Sequence, residues 1–186
     1  VLLLDADEAV SDELAASINS AKQNFNNKAF VMNRRNIYCG RPIRHGLWYP
    51  DRKLRLFDKR IGSCGGLNPH DKIILTEDRL IEHLDGDLLH YTYQSLDEYL
   101  VRNEEVSTTA AESIFNAGKK VHWSKIFLSP LWAFINGYFL RLGFLDGQHG
   151  LVIATHTASQ SYRKYHKLKQ LQKKASGKMR LQNADY

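Results

Sequence analysis

The sequence predicts an α/β protein, with a mixed sheet first and helices after it. Three observations carry that expectation. An apolar run of strand length, Val1-Leu2-Leu3-Leu4, ends abruptly in Asp5-Ala6-Asp7-Glu8. Further strand-like runs recur up to Tyr93, with one capped helical pattern between the first two. From Ser95 onward the caps and the apolar spacing are those of helices. A length of 186 residues allows one domain with a real core, and 43% hydrophobic with 25% charged residues is an ordinary globular composition.

The opening run is apolar on both faces, which suits the interior of a covered, mostly parallel sheet. Its carboxylates then fall at the sheet edge, where α/β folds place ligands. Ser11 is the expected N-cap of a first helix, with Asp12 and Glu13 at its positive end. Ala29 to Met32 reads as a strand, followed by a basic turn over Asn33–Asn36. Ile37 to Trp48 reads as a loop, carrying Gly40, Pro42 and Gly46 among Arg41, Arg44, His45 and Trp48. So rich a loop either faces a ligand or packs its aromatics on the body, and both readings stay open. Lys53 to Phe57 alternates as a strand does. Ile61 to Pro69, with three glycines and a proline, is expected to be mobile. Leu88 to Tyr93 is a short apolar-aromatic run. Ser95 starts a helix expected to reach Ala117 and stop at Gly118. Ile126 to Leu145 is the most apolar stretch, but Ser129-Pro130, Asn136, Gly137 and Arg141 leave it short of the roughly 20 clean apolar residues that span a bilayer. Pro130 suits the first turn of an amphipathic helix, either core or membrane-surface. Ile153 to Leu171 is a helix that grows basic, and disorder is expected from Lys173 on.

Net charge is +6, and it is concentrated. Gln160 to Ala184 contains eight lysines and arginines and no acid, so the rest of the chain is slightly acidic. Cys39 and Cys64 form no metal-ligand spacing, which fits a reduced, cytosolic setting. No basic segment precedes the apolar start, as a signal peptide would need. The chain begins without methionine in what reads as an internal strand, so the protein is expected to start earlier.

Two aspartates one residue apart let a turn bring both carboxylates near one hard cation. Magnesium and manganese prefer such oxygens and share them with substrate phosphates. The same residues also fit a plain Asx-type turn or a helix start.

Several motifs together resemble a family 2 glycosyltransferase, most of all the branch that builds the lipopolysaccharide core. They are Leu-Leu-Leu-Asp-Ala-Asp-Glu at 2–8, Gly-Arg-Pro-Ile-Arg-His-Gly-Leu-Trp-Tyr-Pro-Asp at 40–51 and Lys-Leu-Arg-Leu-Phe at 53–57. His-Asp at 70–71, His-Tyr-Thr-Tyr at 90–93 and Gly-Phe-Leu-Asp-Gly at 143–147 complete the set. The resemblance implies a partial GT-A fold, the C-terminal two-thirds of such an enzyme. Residues 1–120 would be catalytic domain, 121–172 a helical extension and 173–186 a basic disordered tail. It implies an inverting transfer from a nucleotide-sugar donor to a saccharide or lipid-linked glycan, aided by Mg2+ or Mn2+. Asp5 and Asp7 match the metal positions, and His90 is the candidate third ligand. A carboxylate must take the acceptor's proton. Asp71 matches that place, one methylene shorter than the family's usual glutamate, and Asp51 is the alternative. Arg41, Arg44, His45 and Trp48 would line the acceptor side, the arginines meeting phosphates. The implied partners are donor and acceptor, without nucleic acid. Independently, the apolar stretch Ile126 to Leu145 and the basic tail would together suit reversible contact with an anionic membrane from its cytoplasmic face, or equally a core helix followed by a solvated tail.

Two other classes remain open. A strand ending in Asp5-x-Asp7 also looks like the first motif of haloacid-dehalogenase-type phosphatases, with Asp85 and Asp87 as a distal acidic motif. The basic tail alone would suit a binding module, although it offers few aromatics for base stacking.

Overall fold

The structure, a computed structural model, describes residues 1–65, 72–76 and 80–182. It divides into two units. The first is Val1–Arg44 with Trp48–Thr92, and the second is His45–Leu47 with the chain from Tyr93 onward.

The first unit holds β1 (Glu8–Val10), α1 (Asp12–Ala21), β2 (Ala29–Tyr38), β3 (Arg41–Pro42), β4 (Asp51–Phe57), β5 (Gly62–Gly65) and β6 (Lys72–Leu75), with nearly all of β7 (Ile81–Tyr93). The main sheet runs β1-β7-β2-β3, and β4 also pairs with β2. The β1–β7, β2–β3 and β2–β4 pairings are antiparallel, and β5 and β6 pair antiparallel in a separate two-stranded sheet. The Ser11 hydroxyl accepts from the Leu14 amide and caps α1, as the sequence predicts. Leu14 and Ile18 then pack on Phe30, Met32, Leu56, Leu84 and Leu88. Each such side chain, fully buried, contributes about 1.5–3 kcal/mol.

The second unit holds α2 (Leu96–Asn116), α3 (Trp123–Ile135), a π turn (Asn136–Leu140), a 3-10 turn (Gly143–Asp146) and α4 (Gly147–Gln182). Ser95 caps α2 through the Glu98 amide, and Gly118 follows the helix at φ +69°, both as expected. Ala111, Val121, Ile126 and Leu168 join α2, α3 and α4 in one core. Lys167 of α4 donates to Ser107 (2.9 Å) and Thr108 (2.7 Å) of α2. No helix among the described residues is long and apolar enough to cross a membrane.

The architecture is thus α/β, a mixed sheet followed by C-terminal helices. Several local expectations are corrected. Val1–Leu4 is not an interior strand of a mostly parallel sheet. It lies along β4, with Leu3 N bonded to Arg55 O (2.9 Å), Phe57 N to Val1 O (3.0 Å) and an antiparallel bridge between Leu2 and Leu56. Leu2 packs on one core cluster and Leu3 on another, so apolarity on both faces reflects two covered faces rather than parallel neighbours. Asn33–Asn36 is no turn but the continuation of β2, because each arginine finds an acid beside the strand. Gly62–Gly65 is a strand, while residues 66–71 lie outside the described set. Pro130 sits inside α3 rather than in its first turn. The apolar stretch does not stay helical to Leu145, since Leu142 turns left-handed (φ 58°) and Gly143 lies against the Gly137 carbonyl, where a Cβ would come within 2.5 Å. α4 continues to Gln182, through lysines, glutamines and arginine that favour helix where disorder was expected. Apart from these corrections, the two units part at Thr92 and Tyr93, and α2 lies in the second.

Gly86 gives a direct test of the helix–sheet contact. It has φ +90°, and a Cβ there would lie 2.3 Å from the Leu14 amide nitrogen. Gly86→Ala is expected to destabilise by roughly 2–5 kcal/mol, combining strain and overpacking. Gly118→Ala also has positive φ but meets nothing within 4 Å, so it should cost only about 1–2 kcal/mol. Urea midpoints report both, and equal losses would remove the close approach as the cause.

Candidate active site

Asp5 to Glu8 form a tight turn: the Glu8 amide donates to Asp5 O (3.0 Å), and the Asp5 amide to Glu8 Oε2 (3.1 Å). The Glu8 side chain is completely buried. Its Oε1 accepts from Arg55 Nη2 at 2.8 Å and lies 3.4 Å from Arg34 Nη1. Arg34 also grips Asp51 Oδ2 through Nε (2.9 Å) and Nη2 (2.7 Å), and Lys53 reaches the other oxygen at 3.1 Å. Arg55 further binds Asp5 Oδ2. Burial works against the Arg55 charge, but Glu8 and then Asp5 outweigh it and raise its pKa above the ordinary value.

β1 pairs with β7 so that Glu8 stands opposite His90. The Tyr91 amide donates to Asp7 O at 2.9 Å, which carries Asp7 alongside. His90 Nε2 therefore lies 3.2 Å from Asp7 Oδ2. The other ring nitrogen, Nδ1, is 2.6 Å from Asn36 Oδ1. The Asn36 amide nitrogen donates to the Trp48 carbonyl (3.0 Å), which fixes its oxygen toward the ring. Nδ1 thus carries the hydrogen, and Nε2 presents its lone pair whenever the ring is neutral. Burial, then Arg34, lowers the His90 pKa despite the attraction of Asp7 and Glu8. A neutral ring and a carboxylate then face each other as two acceptors.

Of the predicted metal residues, Asp7 and His90 are brought together, while an oxygen of Asp5 is taken by Arg55. Among the described residues, no three His, Cys, Asp or Glu form a metal-holding group by themselves. Asp7 is half exposed, so added oxygen ligands can reach it. A carboxylate and an anchored imidazole are a donor pair that fits a divalent cation completed by phosphate oxygens.

Asp71 lies outside the described residues. Both oxygens of Asp51 are occupied by cations. Arg41 and Arg44 are exposed in the first unit, and Trp48 is half-buried with its ring edge-on to Tyr38 at 5.8 Å. His45 belongs to the second unit, where its amide donates to Asp146 Oδ2 (2.8 Å) and its Nδ1 lies 3.2 Å from Oδ1. Asp85 is exposed, and Asp87 is held by Arg35 and by the Tyr49 hydroxyl (3.0 Å).

Glu8, Arg34, Asn36, Arg55 and Asp146 escaped the sequence reading. Arg55 did leave a signal, as a charge between two leucines of an alternating strand. Glu8 and Asp146 stood inside quoted motifs without an assigned role.

No protein-family description matches the chain, and no solved structure matches it. Curated proteins do. A glycosyltransferase of Rickettsia typhi, itself uncharacterized, is 25% identical over 94% of this chain and 63% of its own length. The chain is similar to glycosyltransferases. One from Rickettsia bellii is 26% identical over 92% of the chain and 62% of its own length. A lipopolysaccharide core biosynthesis glycosyltransferase of Rhizobium meliloti is 27% identical over 61% and 45%. The chain spans just under two thirds of the Rickettsia relatives. The likeness to glycosyltransferases read from the motifs, one of lipopolysaccharide core biosynthesis among them, is borne out by these names, and the phosphatase and binding-module readings gain nothing from them.

The His90 environment predicts a pH dependence. The fold favours the neutral ring, so its contribution is present above the unfolded pKa of about 6.5 and is lost as pH falls through the lower folded value. An NMR titration should place the His90 midpoint below that of an unfolded control. A midpoint at or above the control would mean that Asp7 outweighs burial.

Proposed function

We propose that the chain is part of a GT-A, family 2 glycosyltransferase. The enzyme moves a sugar from a nucleotide-sugar donor to a saccharide or lipid-linked glycan, with inversion. The observation that carries this reading is the facing pair of Asp7 and His90, with the ring aimed by Asn36. An imidazole nitrogen and a half-exposed carboxylate oxygen 3.2 Å apart can both turn to one divalent cation. The likeness to named glycosyltransferases supplies the reaction class.

In this reading Asp7 and His90 hold Mg2+ or Mn2+, and Asp5 assists from its place beside Arg55. When bound, the cation supplies charge neutralisation for the departing nucleotide diphosphate. Glu8, Arg34 and Arg55 fix the turn that presents Asp7. Asn36 holds the His90 tautomer. Asp51 serves as partner to Arg34 and Lys53, which leaves the proton-accepting role to Asp71. Arg41, Arg44 and Trp48 are offered to the acceptor.

Asp7→Ala and His90→Ala in the complete enzyme should each lower sugar transfer at least about 100-fold and weaken manganese-dependent donor binding. Transfer that survives EDTA and Asp7→Ala would remove the metal reading.

Asp71→Asn should lower kcat with little change in donor affinity, since a base acts in the transition state. Asp51→Asn should instead lower thermal stability, because it weakens the hold on Arg34. The reverse pattern would move the base to Asp51.

A further inference from the structure

The second unit presents an apolar face that nothing within it covers. On α3, Trp123, Phe127, Leu128, Leu131 and Trp132 form one stripe at helical spacing, each at least 56% exposed. The stripe continues into the π turn with Phe139 and Leu140. A helix that only packs on its own core turns such a stripe inward. α3 buries Ile126 and leaves its largest apolar side chains in solvent.

Charge identifies what the face fits. From Ser113 to Ala184 the sequence holds twelve lysines and arginines and one acid, Asp146. That acid is engaged by His45. Arg163 and Lys167 pair with Glu104 of α2, but other lysines gather at the aromatic start of α3. Lys169 lies 5.6 Å from the Trp123 ring centre, and Lys125 and Lys164 lie 5.2 and 4.6 Å from that of Tyr165. A groove of about 940 Å³ opens beside them, lined by Lys119, Lys120, Trp123, Lys169 and Lys173 among others.

We propose that this face docks onto an anionic lipid surface. Trp123, Phe127, Leu131 and Trp132 enter the boundary between headgroups and acyl chains, and the lysines around the groove meet lipid phosphates. The unit lies on the surface and does not span it, since no described helix is long and apolar enough to cross. A second copy fits poorly, because two positive, nearly acid-free faces repel.

Co-sedimentation of the chain with vesicles of phosphatidylcholine, alone or with about one third phosphatidylglycerol, is the experiment. Binding should be at least tenfold stronger to the anionic vesicles and should weaken as salt is raised. Brominated acyl chains should quench the tryptophan fluorescence of bound protein. Leu131→Glu with Trp132→Glu, both at exposed positions, should lower binding at least tenfold with an unchanged circular dichroism spectrum. Equal binding to both vesicle types would overturn the proposal. So would binding without quenching, or self-association in place of vesicle binding. If the double variant does not fold, quenching of the unaltered chain decides alone.

Discussion

The buried Glu8 carboxylate between Arg55 and Arg34 is the constraint on which the charged face of the first unit depends. It ties together the opening segment, β2 and β4, three stretches far apart in sequence. Two guanidiniums can be half-buried there only because Glu8, Asp5 and Asp51 answer them, and Glu8 can be fully buried only because they answer it. Such a cluster adds less net stability than an apolar replacement of the same volume would. What it adds is specificity: few other arrangements satisfy every charge. The Asp5–Glu8 turn is held at both its backbone and its side chain, and Asp7 is thereby delivered to His90.

His90 is anchored in a comparable way. Asn36 is itself oriented by the Trp48 carbonyl, so the loop beyond β3 takes part in aiming the ring. Sequence positions 7, 36, 48 and 90 therefore act as one chain of contacts. The residues that would do chemistry are few and partly exposed, whereas the Glu8 side chain and Asn36, which help to position them, are buried.

Local signals were the legible ones. Ser11 and Ser95 announced their helices, Gly118 announced a stop, and the alternation from Lys53 to Phe57 announced β4. The pairing of Asp7 with His90 was legible only through the family resemblance, since no spacing links positions 83 residues apart. Long-range charge satisfaction was not legible. Asn33 to Asn36 looked like a turn because two arginines between asparagines are costly in a strand, unless acids from elsewhere meet them. The same reasoning explains Val1–Leu4. An apolar run says that both its faces are covered, and it does not say which strand lies alongside or in which direction. The cations around Asp51 were not legible for a related reason, since a strand-start aspartate gives no hint that two of them will meet it.

Arg34 and Arg35, adjacent on β2, have one further consequence. Successive residues of a strand face opposite sides, and these two meet different acids: Arg34 meets Glu8 and Asp51, whereas Arg35 meets Asp87 beneath the ring of Tyr49. Arg34 also stands directly opposite Asp51 in the β2–β4 register. If β2 slid by one position, each guanidinium would cross to the other side of the sheet and leave its carboxylates behind, one of them completely buried. The pair thus works as an electrical key for strand alignment, adding the loss of matched charges to the packing penalty of a one-residue slip.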